Sequence, residues 1–362
     1  MKIKSFPKIS FYSIILIGII ALTGFIAYAN ILNSFFLSDD FVLIALLSKL
    51  GPFGLWFNQQ HGKSLFFRPL LGIISFLDYK IWGLNPFGYH LTNFGFHLAN
   101  SFLVGSIAFL FSLNLRLDLK LKRFIPYFAG FIFLLLPSHS EAVSWISART
   151  DVIATFFALL SFSIYLIPIN YPNLTPSSSP LYQGGVRGGK TLISLTAFLA
   201  ALLCKESIAS FPGLIIAYEL YQYSQAKPKT IKKPLINCLL YIAVLGFYFV
   251  WRYLKLGTLV GGYGERIHLK FNPIQILYNL IIYPTRSVLT GQFNSSLTFW
   301  ILTFIGLVLI SIFALILGYY KHQLKSQIPQ TLLLIIVGFW ICVLPAINVS
   351  VSPFDSQGER YL

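Results

Sequence analysis

Acidic residues are scarce in this chain. Only 11 Asp and Glu stand against 27 Lys and Arg in 362 residues, and charged residues of all kinds make up 10%. So little charge, beside 56% hydrophobic and 17% aromatic residues, excludes an ordinary soluble domain, whose surface needs more polar cover. Cysteine is also sparse. The three present, Cys204, Cys238 and Cys342, lie within or at the ends of apolar runs and show no CxxC or other metal-type spacing. That argues against a disulfide scaffold or zinc module and leaves them as small core residues. Short alternating apolar segments are missing, which excludes a transmembrane β-barrel. No 34-residue helical repeat is found either.

What is there instead is a series of apolar runs, many near the length needed to cross ~30 Å of hydrocarbon. They predict spans near 11–29, 88–113, 124–137, 151–169, 191–204, 207–221, 234–256, 297–318 and 330–349. The expected fold is all-α: a polytopic membrane helix bundle of about nine spans, forming a single membrane domain over 1–362. The short runs at 124–137, 191–204 and 207–221 read as helices broken or buried inside the bundle, where irregular backbone can line a cavity. The stretches 68–84 and 276–290 are apolar but carry Asp78, Lys80 and Arg286, and read as interfacial helices.

Orientation follows from the basic residues. With the N-terminus inside, segments 1–10, 114–123, 170–190, 222–233 and 319–329 are cytoplasmic and hold 15 of the 27 Lys and Arg. This obeys the positive-inside rule at every turn. Lys2, Lys4 and Lys8 before the first run read as an uncleaved signal anchor. The net charge of +16 is therefore mostly a topological signal, and no nucleic-acid partner is expected. Segment 170–190 reads as a flexible cytoplasmic linker, and 222–233 as a basic cytoplasmic loop. Within the linker, "GGVRGGKT" (184–191) fits the P-loop pattern, but a Ser/Pro run precedes it where a strand is needed. The match is attributed to chance.

On this topology, nine of the 11 acids and 12 of the 27 cations fall on the non-cytoplasmic side. Such a concentration in a membrane protein marks a polar site. Four segments stand out, with a fifth, "ERYL", farther on. "SDDF" places Asp39 and Asp40 just beyond the first span, either as the cap of a following helix or as reacting carboxylates. "FFRPL" sets Arg68 before a helix-starting proline. Downstream, His90 and His97 share one helical face, where packed histidines are the favoured reading. "PSHSEAVSWISARTD" holds His139, Glu141, Arg149 and Asp151, with a short helix expected between them. The bland alternative is an Arg149–Asp151 or Glu141–Arg149 pair closing the turn. "CKES" adds Lys205 and Glu206, and "ERYL" adds Arg360.

An attacking hydroxyl needs a carboxylate as general base. A lipid-phosphate leaving group needs cations to stabilise its developing charge. Nucleotide sugars are cytoplasmic, so sugar transfer on this face draws on a polyprenyl-phosphate donor. The same residues also fit a phospholipid transferase, or a transporter or flippase for lipid-linked saccharides. A transporter, however, places charges at the midplane and shows matching halves, whereas these charges gather at one face. No cofactor is specified, and a divalent metal is left open.

The run "SDDF…FFRPL…GLNPFGYHLTNFGFHLAN…LLPSHSEAVSWISARTDVIATFFALLSFSIYL…LLCKESIASFPGLIIAYEL…ERYL" resembles the TMTC-type, protein O-mannosyltransferase-like proteins among the GT-C membrane glycosyltransferases. The similarity is dense over about 31–221 and thinner beyond. The resemblance implies inverting transfer of a sugar, mannose among the candidates, from a polyprenyl phosphate to a protein or glycan hydroxyl. Asp40 would be the general base, with Asp39 the other choice. His139, Glu141, Arg149 and Asp151 would line the substrate site, with Arg68, Lys205 beside Glu206, and Arg360 toward the phosphate. Such proteins usually continue with more helices and tetratricopeptide repeats. The chain is therefore expected to be C-terminally short, and a non-catalytic scaffold is the further alternative.

Overall fold

In lipid a backbone must satisfy its own polar groups, which favours helices. Every regular element among the described residues is helical. The computed structural model describes residues 11–55, 66–115, 118–167, 180–226, 232–257, 259, 273–288, 301 and 327–346. Helix α1 spans Phe11–Tyr28, α2 Asp39–Leu50, α3 Pro69–Trp82 and α4 Pro86–Asn114. Then come α5 (Leu119–Leu135), α6 (Ser140–Ser144), α7 (Arg149–Leu166) and α8 (Pro180–Leu202). The remainder are α9 (Phe211–Ala226), α10 (Lys232–Leu256), α11 (Pro273–Val288) and α12 (Gln327–Val343).

Four helical stretches are long and apolar enough to cross a membrane: Ser13–Asn33, Pro86–Leu113, Ile146–Leu166 and Pro234–Leu256. They answer to four of the nine expected spans. The runs at 191–204 and 330–349 correspond to shorter apolar helices, Gly189–Leu202 and Gln330–Val343. Those at 124–137 and 207–221 fall in α5 and α9, only 17 and 16 residues long. The run at 297–318 lies, but for residue 301, outside the described residues. Helix α8 takes in residues 180–190 of the expected linker. "GGVRGGKT" thus lies inside a helix, without the preceding strand that a P-loop requires.

The bundle is organised around α4 and α7. Helix α4 packs on α5 and α7, α7 on α8, and α12 on α9. Within the α7 span 56% of the apolar window is buried, against 11% in the N-terminal span, so α7 is central and α1 peripheral. Asn85 caps α4 by accepting from the Phe87 N–H at 3.1 Å, with Pro86 in the first turn. Asp118 caps α5 in the same way, through the Leu119 N–H at 2.7 Å.

The α4–α5 pair approaches closely because small residues face each other. Ser101 Oγ donates to the Gly130 carbonyl at 2.8 Å. A Cβ added at Gly130 would stand 2.8 Å from the Ser101 carbonyl oxygen, and one at Gly105 2.7 Å from that of Pro126. Close backbone contact of this kind is a principal source of helix association in membranes. Gly130→Leu is expected to cost about 1–3 kcal/mol of stability through overpacking, read as a lowered thermal midpoint in detergent. An unchanged midpoint would show that these backbones have room to part.

Candidate functional site

Where α1 ends, a 3-10 turn over Ala29–Asn33 leads into an extended segment and then α2. The turn into α2 is strained. Ser38 sits at φ 51°, the one non-glycine residue with positive φ among those described, a conformation costing about 1–3 kcal/mol that needs support from its surroundings. Ser38 occupies the N-cap position of α2, but its side chain caps nothing. Asp40 supplies the support instead. Its Oδ2 accepts from the Leu37 N–H at 2.9 Å. Its Oδ1 accepts from Ser147 twice, from N–H at 2.7 Å and from Oγ at 2.5 Å. The Trp145 indole adds a bond to the Leu37 carbonyl at 3.3 Å. The loop after α1 is therefore latched to the turn at the head of α7. Asp40 is 1% exposed, whereas neighbouring Asp39 is exposed.

Two residues beyond Ser147 lies Arg149, which is completely buried. A buried guanidinium is tolerated only when paired and hydrogen-bonded. Arg149 donates to Asp78 Oδ2 at 2.7 Å, to Asn93 Oδ1 at 2.9 Å and to the Tyr89 carbonyl at 2.8 Å. Thr92 donates to the other Asp78 oxygen at 2.8 Å. Asn93 passes the connection on, donating to the Val143 and Trp145 carbonyls at 3.2 and 3.4 Å. One cation thus ties α3, α4 and the head of α7 together, with α6 joined through Asn93. Neither pair of the bland alternative forms: Arg149 bonds neither Glu141 nor Asp151 but Asp78, on a helix remote in sequence.

Asp151 instead pairs with Lys205. Next to Lys205, Glu206 is forked by Arg68, with Nε–Oε2 at 3.2 Å and Nη2–Oε1 at 2.9 Å. Arg252 approaches the same carboxylate at 3.9 Å and bonds the Tyr248 hydroxyl at 3.2 Å and the Leu259 carbonyl at 3.1 Å. Arg68 also lies over the Phe66 ring, 4.2 Å from its centroid. Burial pushes the Glu206 carboxyl up, but Arg68 and then Arg252 outweigh it and bring it down to about 2. A depressed carboxylate stabilises the fold fully above its ordinary value of 4.5 and loses that contribution as pH falls toward 2. Glu206→Gln is therefore expected to flatten the acid limb of a melting-temperature profile between those limits. An acid limb identical to wild type would contradict it.

Most of the expected site residues meet at one end of the bundle. Asp40, Arg149, Asp151, Arg68, Lys205 and Glu206 sit on linked elements there, while Asp39 borders them and Glu141 lies half-buried on α6. His139 does not join them. Its Nδ1 bonds the Phe133 carbonyl at 2.9 Å, and its ring packs 4.4 Å from Phe133 and 5.4 Å from His97. Burial holds its imidazole below the ordinary range, against the opposing pull of the Phe133 carbonyl, so at neutral pH it is not a cation. His90 and His97 are buried beside the Ser34 and Leu134 carbonyls, at 3.2 and 3.0 Å. Arg360 lies outside the described residues. Sequence reasoning did not foresee the roles of Asp78, Asn93 and Ser147. Only Asp78 left a signal, as the sole acid in the apolar 68–84 stretch. Among the described residues no group of three or more His, Cys, Asp or Glu is arranged to hold a metal.

A second polar cluster lies at the opposite end, where Tyr165 donates to Glu219 and Asn237 bonds both.

No family model matches the chain, and no solved structure matches it. Curated relatives do. Protein O-mannosyl-transferase TMTC2 of Mus musculus is 28% identical over 242 residues, 62% of this chain and 27% of the relative. Protein O-mannosyl-transferase TMTC3 of Homo sapiens is 31% identical over 166 residues, 45% of this chain and 16% of the relative. Protein O-mannosyl-transferase Tmtc3 of Drosophila melanogaster is 25% identical over 183 residues, covering 47% and 19%. The matched segments thus span about a quarter or less of these longer proteins. By sequence the chain is similar, at modest identity and over about half of its length, to protein O-mannosyl-transferases of the TMTC type.

Proposed function

We propose that the chain is an integral membrane glycosyltransferase of GT-C type with about nine spans. Its N-terminus is cytoplasmic and its working face non-cytoplasmic. It moves a sugar, mannose by analogy with the names of its relatives, from a polyprenyl-phosphate donor to a protein or glycan hydroxyl with inversion. One observation carries this reading: an exposed carboxylate, Asp39, is held beside a fully engaged one, Asp40, at the bundle end that also holds Arg68, Lys205 and Arg252. Asp40 stood first for the role of base, but the geometry favours the reverse order. Three donors occupy Asp40, which fixes the loop, while Asp39 keeps its lone pairs for an incoming proton.

In the reaction an Asp39 carboxylate oxygen takes the acceptor hydroxyl proton as that oxygen attacks the anomeric carbon. The bond from the anomeric carbon to the phosphate oxygen breaks, and the phosphate leaves with the electron pair. Arg68, Arg252 and Lys205 stabilise its charge, with Arg360 a further candidate. Glu141 and Asp151 border the substrate, and His139 belongs to the α5 packing. Around Asp39, the side chains of Phe35, Leu37, Phe41 and Val42 are all more than half exposed, an apolar surface suited to an isoprenoid chain.

The test supplies the wild-type chain, reconstituted in vesicles, with either polyprenyl-phosphate mannose or a nucleotide-linked mannose and a hydroxyl acceptor. Product from the lipid donor alone, with inverted anomeric configuration, is expected. Product from the nucleotide donor, or retention, would overturn the proposal. No product at all, while a longer relative works under the same conditions, would favour the scaffold reading.

A further inference from the structure

The Arg68 guanidinium already holds an anion. Glu206 meets it in two roughly parallel N–H···O bonds, the fork that guanidinium groups also make with phosphate oxygens. Arg252 stands 3.9 Å away as a second cation on the same oxygen that Arg68 Nε contacts. This carboxylate is not sealed in. The Glu206 side chain is 23% exposed, against 10% for Arg68 and 1% for Arg252, so the acid is the most accessible member of a cluster whose cations are the fixed ones. The cations are also anchored independently of it: Arg252 by the Leu259 carbonyl and the Tyr248 hydroxyl, and Arg68 by the Phe66 ring and by its place ahead of Pro69. Beside them Lys205 and Asp151 form a second pair.

We propose that Glu206 is a placeholder: a phosphate monoester or diester on a lipid displaces its carboxylate from Arg68 and Arg252 and takes over the two-cation seat. This rests on the reading above that the end of the bundle receives a lipid phosphate, and it adds how an empty site is kept stable. Without ligand, two close guanidiniums repel each other, and the internal carboxylate screens them. When the ligand arrives, one anion exchanges for another and Glu206 swings toward the open side. The exchange makes binding weaker than the cations alone would give, and makes release of the spent lipid phosphate easier, because the carboxylate competes for the same donors.

Binding of farnesyl phosphate to the full chain in nanodiscs tests this, measured without any sugar or acceptor. Glu206→Gln removes the competing charge and is expected to tighten binding by about tenfold, the scale of one charge-assisted fork lost from the free state. Arg68→Gln is expected to weaken it by about as much. Equal or weaker binding by a folded Glu206→Gln overturns the proposal. If that variant does not fold, Glu206→Asp takes its place: one methylene shorter, it keeps the charge but cannot fork Arg68, and severalfold tighter binding is expected. Unchanged binding there overturns the proposal equally. Inorganic phosphate and phosphatidylglycerol vesicles are the parallel probes. A response to Glu206→Gln with inorganic phosphate but not the lipid would also overturn it, since the ligand would then be free phosphate. Sugar transfer is a separate readout. A chain that binds the lipid as expected but transfers nothing refutes the enzymatic reading and leaves the placeholder intact.

Discussion

Asp39→Asn is expected to slow sugar transfer by about 10²- to 10⁴-fold, the usual contribution of a general base. The amide keeps the size of the carboxylate but cannot take the acceptor's proton. Because Asp39 is exposed, the melting temperature should stay near that of wild type. The loss should appear in kcat, with KM for the donor little changed, as for a group acting only in the transition state. Asp40→Asn should behave differently. Its amide nitrogen must face one of three donors, from Leu37 or Ser147, that the carboxylate now satisfies. An unsatisfied buried group costs about 1–3 kcal/mol, so this variant should lose both stability and activity. Full activity in Asp39→Asn would return that acid to the role of a helix cap.

The second large effect is on folding. Arg149→Met is expected to destabilise the chain by about 3–5 kcal/mol, because it leaves the buried Asp78 carboxylate without its counter-charge. It also strands the Asn93 side-chain oxygen and takes a second donor from the Tyr89 carbonyl, which lies within α4. Arg149→Lys keeps the charge but cannot reach three acceptors on three sides, and should recover only part of the loss. The double change Arg149→Met with Asp78→Leu should be more stable than Arg149→Met alone, since apolar replacements of both partners remove the stranded charge. Unfolding monitored in mild detergent would check all three. A stable Arg149→Met would mean that the Asp78 contact contributes nothing to the fold.

The helical class and several spans were legible in the sequence because runs of about 20 apolar residues have few other uses. The concentration of charge in a few segments was legible too, and its described members Asp40, Asp151, Lys205, Glu206 and Arg68 lie on linked elements. Even the short helix at Ser140–Ser144 was foreseen, from an apolar stretch between charged residues. The partners were not. Arg149 has two acids within eight residues along the chain, so the sequence offered Glu141 and Asp151, yet the bond goes to Asp78. Helix packing brings α3 and α7 together, and nothing in a linear spacing encodes that. The same holds for Ser147, a common residue with no motif, which proves to be the seat of Asp40. His139 read as a site residue because it lies in a charged block. Pro137 turns the chain there, and the imidazole falls back onto Phe133 instead.

That Asp39 takes the acceptor's proton is tested most directly by chemical rescue. Asp39→Ala is assayed for transfer from polyprenyl-phosphate mannose as formate is added, with Asp40→Ala alongside. A small carboxylate that can enter the vacated position should restore turnover to Asp39→Ala in a concentration-dependent way, and leave Asp40→Ala unrescued because its defect is a lost latch. Rescue of Asp40→Ala alone, or of neither variant, would contradict the assignment.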